Sequence, residues 1–399
     1  MKRFTESKQS AFQYVIAVIF LMTISLQSAS QRIQLSDDAE IHVLTCGPYQ
    51  GELYSAFGHS AVRVSDPKTG LDWLYNYGIF SFNQPNFYLN FARGYLNYRL
   101  AVMDYEGFRD YYIHQNRFIH EQILNLNKEQ KQQYFDFLEW NAKPENQFYY
   151  YDYFYDNCAT RIRDGLKLTF GDQIEFDGSY VSTDYTIREL TDLYLTYQPW
   201  GDLGIDLCLG LPMDVKATPE MYMFLPDYIE NGFNNAFIKT DSGLVPLVEK
   251  TLITYESKPE NIEESVFTPL AVFSLLLIIG IALTYYGWMN KKHFRAFDIL
   301  LFGIVGSVGL LLFLLWVATD HHAAAKNMNL LWALPSHLVI PFFLFKKEKA
   351  VWLKKYFVLT SILGIILVST WVFLPQLMHY SLIPLVVLIA VRSFYHSKR

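Results

Sequence analysis

The segment YFYDNCATRIR, residues 153–163, decides how the first half of this chain folds. Two polar residues, Asp156 and Asn157, interrupt an aromatic run, and helix-forming residues follow with Cys158 in the first turn. Unpaired backbone N–H groups and the positive end of the helix dipole favour the thiolate form of a cysteine in that place. The segment therefore predicts a helix over residues 157–168 that carries a usable nucleophile.

A second segment, SAFGHSAVRV at residues 55–64, has a glycine turn before His59 and an alternating strand after it. A histidine beside Cys158 can take the thiol proton and later protonate a leaving group. Alone, His59 would more often be a packed or surface residue, and Cys158 a small buried hydrophobe. Together, the two contexts predict the strand-start histidine and helix-start cysteine that papain-like folds use as base and nucleophile.

A third group should orient His59, and the next predicted strand offers Asn76 and Tyr77. Asn76 is our choice, because an amide oxygen can accept from the imidazole N–H and hold its tautomer. An asparagine in this place is equally typical of a turn or a sheet edge. Arg161 and Arg163 could contact a phosphate, although side chains two apart on a helix point in different directions.

The surrounding pattern predicts an α+β domain, because β-branched and aromatic runs alternate with turn signals and helical periods. Strands are predicted at residues 41–46, 59–65, 73–79, 98–103 and 119–124. Helices are predicted at residues 84–92, 105–116, 128–141, 157–168, 186–197 and 219–231.

The composition excludes several classes of protein. With 51% hydrophobic and 18% charged residues, the chain is neither disordered nor collagen-like, and a net charge of −6 gives no footprint for nucleic acid. Its three cysteines, Cys46, Cys158 and Cys208, are too few for a disulfide scaffold and form no metal-binding motif. We therefore expect neither a metal nor a cofactor.

The chain divides into three parts. Residues 1–30 show a basic start, an apolar run and small residues, the pattern of a secretory signal peptide or of an uncleaved N-terminal anchor. Residues 31–265 contain no stretch that could span a bilayer, so we expect an exported globular domain. Residues 266–399 contain five apolar runs, at 270–288, 299–318, 330–345, 358–374 and 382–390.

The positive charges support an exported position for residues 31–265, because Lys and Arg mark the cytoplasmic loops of membrane proteins. The first and third connections between the runs and the C-terminal tail are rich in Lys and Arg, whereas the second connection has only Lys326 and the fourth has neither. The alternation predicts five spans, a cytoplasmic C-terminus and a multi-pass protein of the inner membrane.

Several motifs resemble one family. LTCGP at 44–48, FGHS at 57–60, YNYG at 75–78 and DNCATR at 156–161 resemble the Lnb N-terminal periplasmic domain, which is similar to NlpC/P60 cysteine enzymes in permuted order. The membrane half is similar too, through Thr319-Asp320-His321 and the segment from Asn327 to Pro335. The resemblance implies a lipoprotein N-acyltransferase of the Bacteroidota type, with a phospholipid as acyl donor and a diacylated lipoprotein as acceptor.

The resemblance and the residues together yield one site hypothesis. Cys158, His59 and Asn76 are the candidate catalytic residues. Tyr77, Asn157 and Arg161, with Asp320 and His321 at the outer end of the second run, are candidate substrate contacts. Asp320 and His321 could equally form a lid or be plain interfacial residues.

Two other functions fit the same sequence. A membrane-anchored cell-wall endopeptidase or amidase would use the same nucleophile, but would need an open polar groove and only one anchor. A sensor or scaffold would keep the fold without catalysis, and would keep its function after Cys158→Ser.

Overall fold

The computed structural model describes residues 32–240, 243–260, 265–344 and 351–398. The predicted signal segment, 1–30, lies outside the described residues.

A seven-stranded antiparallel sheet forms the centre of the first domain, in the order β10-β5-β1-β2-β3-β4-β6. A second sheet has the order β7-β8-β9. The strands are β1 (Glu40–Cys46), β2 (His59–Asp66), β3 (Leu71–Ile79), β4 (Asn97–Asp104), β5 (Ile119–Leu124), β6 (Phe148–Tyr150), β7 (Ile174–Phe176), β8 (Ala236–Thr240), β9 (Gly243–Pro246) and β10 (Val248–Tyr255).

The five predicted strands are β1 to β5, each within two residues of its predicted ends. Strands β6 to β10 were not predicted. β6 and β7 have three residues each, too few to show alternation. β10 carries charged and polar residues because it lies at the edge of the sheet, where one side of its backbone has no partner strand among the described residues.

Eight α-helices belong to the first domain in the described residues. They are α1 (Phe87–Arg93), α2 (Tyr105–His114), α3 (Lys128–Asn141), α4 (Cys158–Phe170), α5 (Ile187–Asp192), α6 (Pro199–Cys208), α7 (Pro219–Tyr222) and α8 (Pro226–Asn234).

Two helix predictions were wrong in extent. The helix predicted at 186–197 ends at Asp192, and the following chain turns into α6, which the sequence pattern did not reveal. The helix predicted at 219–231 is two helices, because Pro226 has no N–H to donate and disfavours a helical Leu225 before it.

The main core lies between the seven-stranded sheet and α3 and α4. Ala159, Ile162 and Leu166 on one face of α4 are fully buried in the same apolar cluster as Val62, from β2. Since the face of α4 is fixed by this packing, its first residue, Cys158, is held against the start of β2.

The second domain is helical. It contains α9 (Pro269–Asn290), α10 (Arg295–Val317), α11 (Ile340–Leu344), α12 (Val351–Ser369) and α13 (Ile383–Ser397). Four helices of the described chain are long and apolar enough to cross a membrane, the last of them running from Tyr380 to Ser397. This last helix continues past residue 390, where the predicted apolar run ends. The charged residue that ends the run, Arg392, is fully buried in the helix and pairs with Asp298 of α10 at 2.7 Å.

The third predicted run, 330–345, is not one straight helix. It forms two short segments, His322–Leu331 and Pro335–Leu344, that meet at 63°. The chain from Ala333 to Pro341 runs antiparallel to α10, since Gly309 approaches Ala333 and Gly303 approaches Pro341. This path leads away from the first domain and favours one crossing for the bent pair, so that five crossings stay our prediction.

The two domains meet at a polar seam. Asn327 Nδ2 donates to Leu207 O at 2.7 Å, Gln376 Nε2 donates to Leu209 O at 3.1 Å, and the Leu377 N–H donates to Asp214 Oδ1 at 2.8 Å. The second and fourth connections between the apolar runs, which contain Asn327 and Gln376, therefore lie on the side of the α+β domain. These are the two connections that are poor in Lys and Arg, as the charge pattern predicts.

Candidate active site

Cys158 is the first residue of α4, and its position is set by the residue before it. Asn157 Oδ1 accepts from the Thr160 N–H at 2.9 Å, and Thr160 Oγ1 accepts from the Asn157 N–H at 2.8 Å. This reciprocal cap satisfies two backbone donors and begins the helix sharply. Cys158 is 8% exposed and is not in a disulfide.

His59 begins β2, directly after a turn that only glycine permits. Gly58 has φ = +78°, and a Cβ there would lie 2.8 Å from Cys46 O. His59 is paired across the sheet with Cys46. The turn and this register together aim the imidazole toward the start of α4.

The thiol and the imidazole form one ionisable pair. Burial raises the pKa of Cys158, but the charge of His59, its hydrogen bond, and the N–H groups of Ser60 and Ala159 outweigh burial, so that the pKa lies below its usual value. Burial likewise lowers the pKa of His59, yet Cys158 and the hydrogen bond to Asn76 raise it above its ordinary value. Both shifts favour a thiolate beside an imidazolium.

Asn76 lies on β3 where the sequence analysis expected an orienting group. His59 Nε2–H donates to Asn76 Oδ1 at 2.7 Å, which leaves Nδ1 for the thiol. The Asn76 Nδ2 contacts Met103 Sδ at 3.8 Å. The structure thus brings Cys158, His59 and Asn76 together, while their catalytic roles stay predictions.

A β-bulge makes room for this group. The pairing of β3 with β4 is irregular between Asn76 and Ile79, and Gly78 there has φ = +91°. A Cβ on Gly78 would lie 3.8 Å from the Cβ of Cys158. The bulge therefore lets the backbone of β3 pass beside the nucleophile.

His59 and Asn76 line a cleft of about 590 Å³, and Gly78, which lies beside Cys158, lines it as well. Aromatic side chains form much of its wall, and the Tyr112 ring stacks on the His59 imidazole with 6.3 Å between ring centres. Its lining includes His59, Asn76, Gly78, Phe80, Tyr112 and Arg117. An apolar wall suits a hydrocarbon chain better than a polar peptide.

Three candidate substrate contacts have structural partners instead. Tyr77 is buried and its hydroxyl donates to Asn141 Oδ1 at 2.7 Å. Asn157 caps α4 and also donates to Phe224 O at 2.8 Å. Arg161 pairs with Asp156 and lies over the Tyr149 ring at 4.0 Å. None of the three lines the cleft. Their substrate roles stay untested predictions that this placement does not favour.

Asp320 and His321 contact the rim of the first domain. The Asp320 N–H donates to Arg93 O at 2.9 Å, and His321 Nε2 hydrogen-bonds Phe91 O at 2.9 Å. Both partners belong to α1. The two residues therefore hold α1 at the outer end of α10, and a direct contact with substrate stays a prediction.

Tyr112 and Arg117 line the cleft but were not predicted from the sequence. Nothing in the sequence around them resembles a motif, and they reach the cleft only because α2 and the turn after it fold back over β2. The Arg117 guanidinium lies 4.3 Å from the centre of the Tyr112 ring.

One group of side chains in the described residues has the spacing of metal ligands. Donor atoms of Asp202, Asp206 and His379 lie within 4.8 Å of one another. Each side chain already has a partner in the protein, because His379 pairs with Asp202 at 3.1 Å and Asp206 with Arg188 at 2.9 Å. The group is accounted for as part of the polar seam.

Fold and site together define a multi-pass membrane protein whose α+β domain lies at the outer ends of its helices and holds a thiol–imidazole pair beside a largely apolar cleft. The chain belongs to the Lnb family: the Lnb N-terminal periplasmic domain matches residues 28–192, and the Lnb transmembrane domain matches residues 261–399. Its α+β domain is accordingly periplasmic. Comparison with the curated proteins found no match, and comparison with the solved structures found none.

Proposed function

We propose that this protein is a lipoprotein N-acyltransferase of the inner membrane that moves an acyl chain from a phospholipid to the α-amino group of a diacylated lipoprotein. The observation that carries the proposal is the Cys158–His59 pair beside an aromatic cleft whose rim is tied to the outer end of a membrane helix. Phospholipid esters and lipoprotein N-termini are both found at that level.

In the first half of the proposed reaction, the Cys158 thiolate attacks an ester carbonyl of the phospholipid. A C–S bond forms, the ester C–O bond breaks, and imidazolium His59 protonates the departing lysophospholipid oxygen. Backbone N–H groups in the first turn of α4 are the donors that this geometry offers to the oxyanion. The acyl group then remains on Cys158 as a thioester.

In the second half, the lipoprotein amine attacks the thioester carbonyl. A C–N bond forms, the C–S bond breaks, and His59 receives the amine proton, which restores the thiolate–imidazolium pair. A thioester suits this step because nitrogen attacks it more readily than it attacks an oxygen ester. Asn76 acts as a positioning residue that holds His59 through Nε2.

Half-buried and exposed aromatic residues lead from the cleft to the membrane side. Phe80 lines the cleft and stacks on Phe87 of α1, with 6.0 Å between ring centres. No residue of α1 is buried, and Tyr88 is 78% exposed. Since Asp320 ties α1 to the outer end of α10, this apolar surface lies where lipid can cover it. Lipid as substrate is thereby favoured over a cell-wall peptide.

The direct test incubates the purified full-length protein with phospholipid vesicles and examines Cys158 by mass spectrometry. We expect a fatty acyl thioester on Cys158, which disappears when a synthetic diacylglyceryl-cysteine peptide is added and reappears as an amide on that peptide. The Cys208→Ala variant is the matched control, because Cys208 lies outside the cleft. Cleavage of cell-wall peptide without thioester formation would instead support the endopeptidase alternative.

A further inference from the structure

Arg117 is a buried cation without a carboxylate partner in the described part of the chain. It is 4% exposed, its Nε donates to Gly47 O at 2.6 Å, and its Nη1 donates to Gln115 Oε1 at 3.2 Å. The three other arginines buried in the described residues, Arg163, Arg188 and Arg392, each pair with at least one aspartate. Arg117 is therefore the exception among them.

A buried guanidinium without a carboxylate partner is electrostatically costly. Taking a guanidinium out of water costs free energy, and a carboxylate or another anion normally offsets that cost. Neutral oxygens of Gly47 and Gln115 solvate only part of the fork, and within the described residues no hydrogen-bond partner is recorded for Nη2. The arginine thus keeps donor capacity for an anion.

Arg117 lines the same cleft as His59. The Tyr112 ring contacts both groups, with the guanidinium 4.3 Å from its centre and the His59 ring 6.3 Å away. Glu52 and Asp104 also line the cleft. Asp104 caps α2 by accepting from the Gly107 N–H at 3.1 Å, and Glu52 is exposed and bonds Tyr54, so neither neutralises Arg117.

We propose that Arg117 is a binding residue for the phosphate diester of the phospholipid donor, and that it selects glycerophospholipids by holding this phosphate while an ester carbonyl meets Cys158. The inference rests on the proposed function. Only a few bonds separate the phosphate from the ester carbonyls of a glycerophospholipid, so one donor can engage both groups. A planar guanidinium fork matches two phosphate oxygens, which an ammonium cannot do.

A purely structural role is the competing explanation, because Arg117 also ties the end of β1 through Gly47 O. The test compares two acyl donors in single-turnover acylation of Cys158 by full-length protein. One donor is a phospholipid in vesicles, and the other is a p-nitrophenyl acyl ester, which has no phosphate. Arg99→Gln is the matched control, because Arg99 is exposed, lies outside the cleft and also bonds a glutamine.

Arg117→Gln should lower the acylation rate from phospholipid roughly 10- to 100-fold, the loss of hydrogen bonds to a charged group, and leave the rate from the p-nitrophenyl ester within about twofold. The rate of acylation of Arg117→Lys from phospholipid should lie between those of Arg117→Gln and the wild type. Equal losses with both donors would overturn the inference in favour of the structural role. Wild-type acylation by the p-nitrophenyl ester but not by phospholipid would overturn the proposed function itself.

Inorganic phosphate distinguishes a lipid phosphate from a free one. If the site serves a lipid, inorganic phosphate should leave acylation by the p-nitrophenyl ester unchanged in both wild type and Arg117→Gln. A change in rate that requires Arg117 would mean that the site binds free phosphate, and would overturn the assignment to the donor.

Discussion

The cleft beside His59 and the polar seam between the domains use buried charge in opposite ways. In the seam, Arg188 is fully buried, and Asp206, Asp214 and three backbone carbonyls accept from its donors at 2.9–3.3 Å. At the cleft, Arg117 has no carboxylate partner among the described residues, and Cys158 and His59 shift each other's pKa. Saturated polar groups hold a structure together, whereas unsaturated ones keep capacity for a substrate.

Replacing the nucleophile should have the largest effect and should affect only the cleft. Cys158→Ala should abolish thioester formation, with a loss of at least about a thousandfold, because no other group supplies the nucleophile. Mass spectrometry of the intact protein measures the thioester, and thermal unfolding should match wild type. Acyl transfer that is retained in Cys158→Ser would instead favour the scaffold interpretation, in which a different protein carries out the reaction.

Breaking the seam should reverse that pattern. Arg188→Met leaves Asp206 and Asp214 buried without their cation, which should lower the free energy of unfolding by about 3–5 kcal/mol. Chemical unfolding in detergent measures the change. The fraction that remains folded should still form the thioester, and unchanged stability would contradict a structural role for this pair.

Removing the positioning residue should have an intermediate effect on the cleft. Asn76→Ala deletes the acceptor for His59 Nε2–H, and we expect the acylation rate to fall roughly 10- to 100-fold at unchanged stability. Asn76→Asp keeps an acceptor and should recover most of the rate. An equal loss in both variants would mean that Asn76 acts through packing.

The smallest effect is a shift in a pH profile. Since the pKa of Cys158 lies below its usual value, its alkylation by iodoacetamide should continue as the pH falls below about 8.5, the value of an unperturbed thiol. Burial raises the pKa of Cys46 and of Cys208, so both should react more slowly at every pH. In His59→Ala the midpoint for Cys158 should move upward, and an unmoved midpoint would contradict the pairing.

Local chemistry made part of this protein predictable. The strand that begins with His59 and the helix that begins with Cys158 each depend on neighbouring residues, namely the Gly58 turn and the Asn157 cap. Asn76 was chosen because it lies on the next predicted strand and its amide oxygen can accept from the imidazole. Tyr77, beside it on that strand, and Arg161, chosen as a possible phosphate contact, have Asn141 and Asp156 as partners, because proximity along the chain does not determine which face a side chain occupies.

The sequence by itself determined the division into an exported α+β domain and an apolar helical domain, the turn before His59 and the cap before Cys158, and the family. Only the tertiary structure decided that α2 covers the start of β2, that Arg117 shares the cleft with His59, and that Asp320 holds α1 at the membrane side. The physical reason is range: backbone propensity and hydrophobic periodicity act over a few residues, whereas the satisfaction of a buried charge depends on groups that only folding brings together.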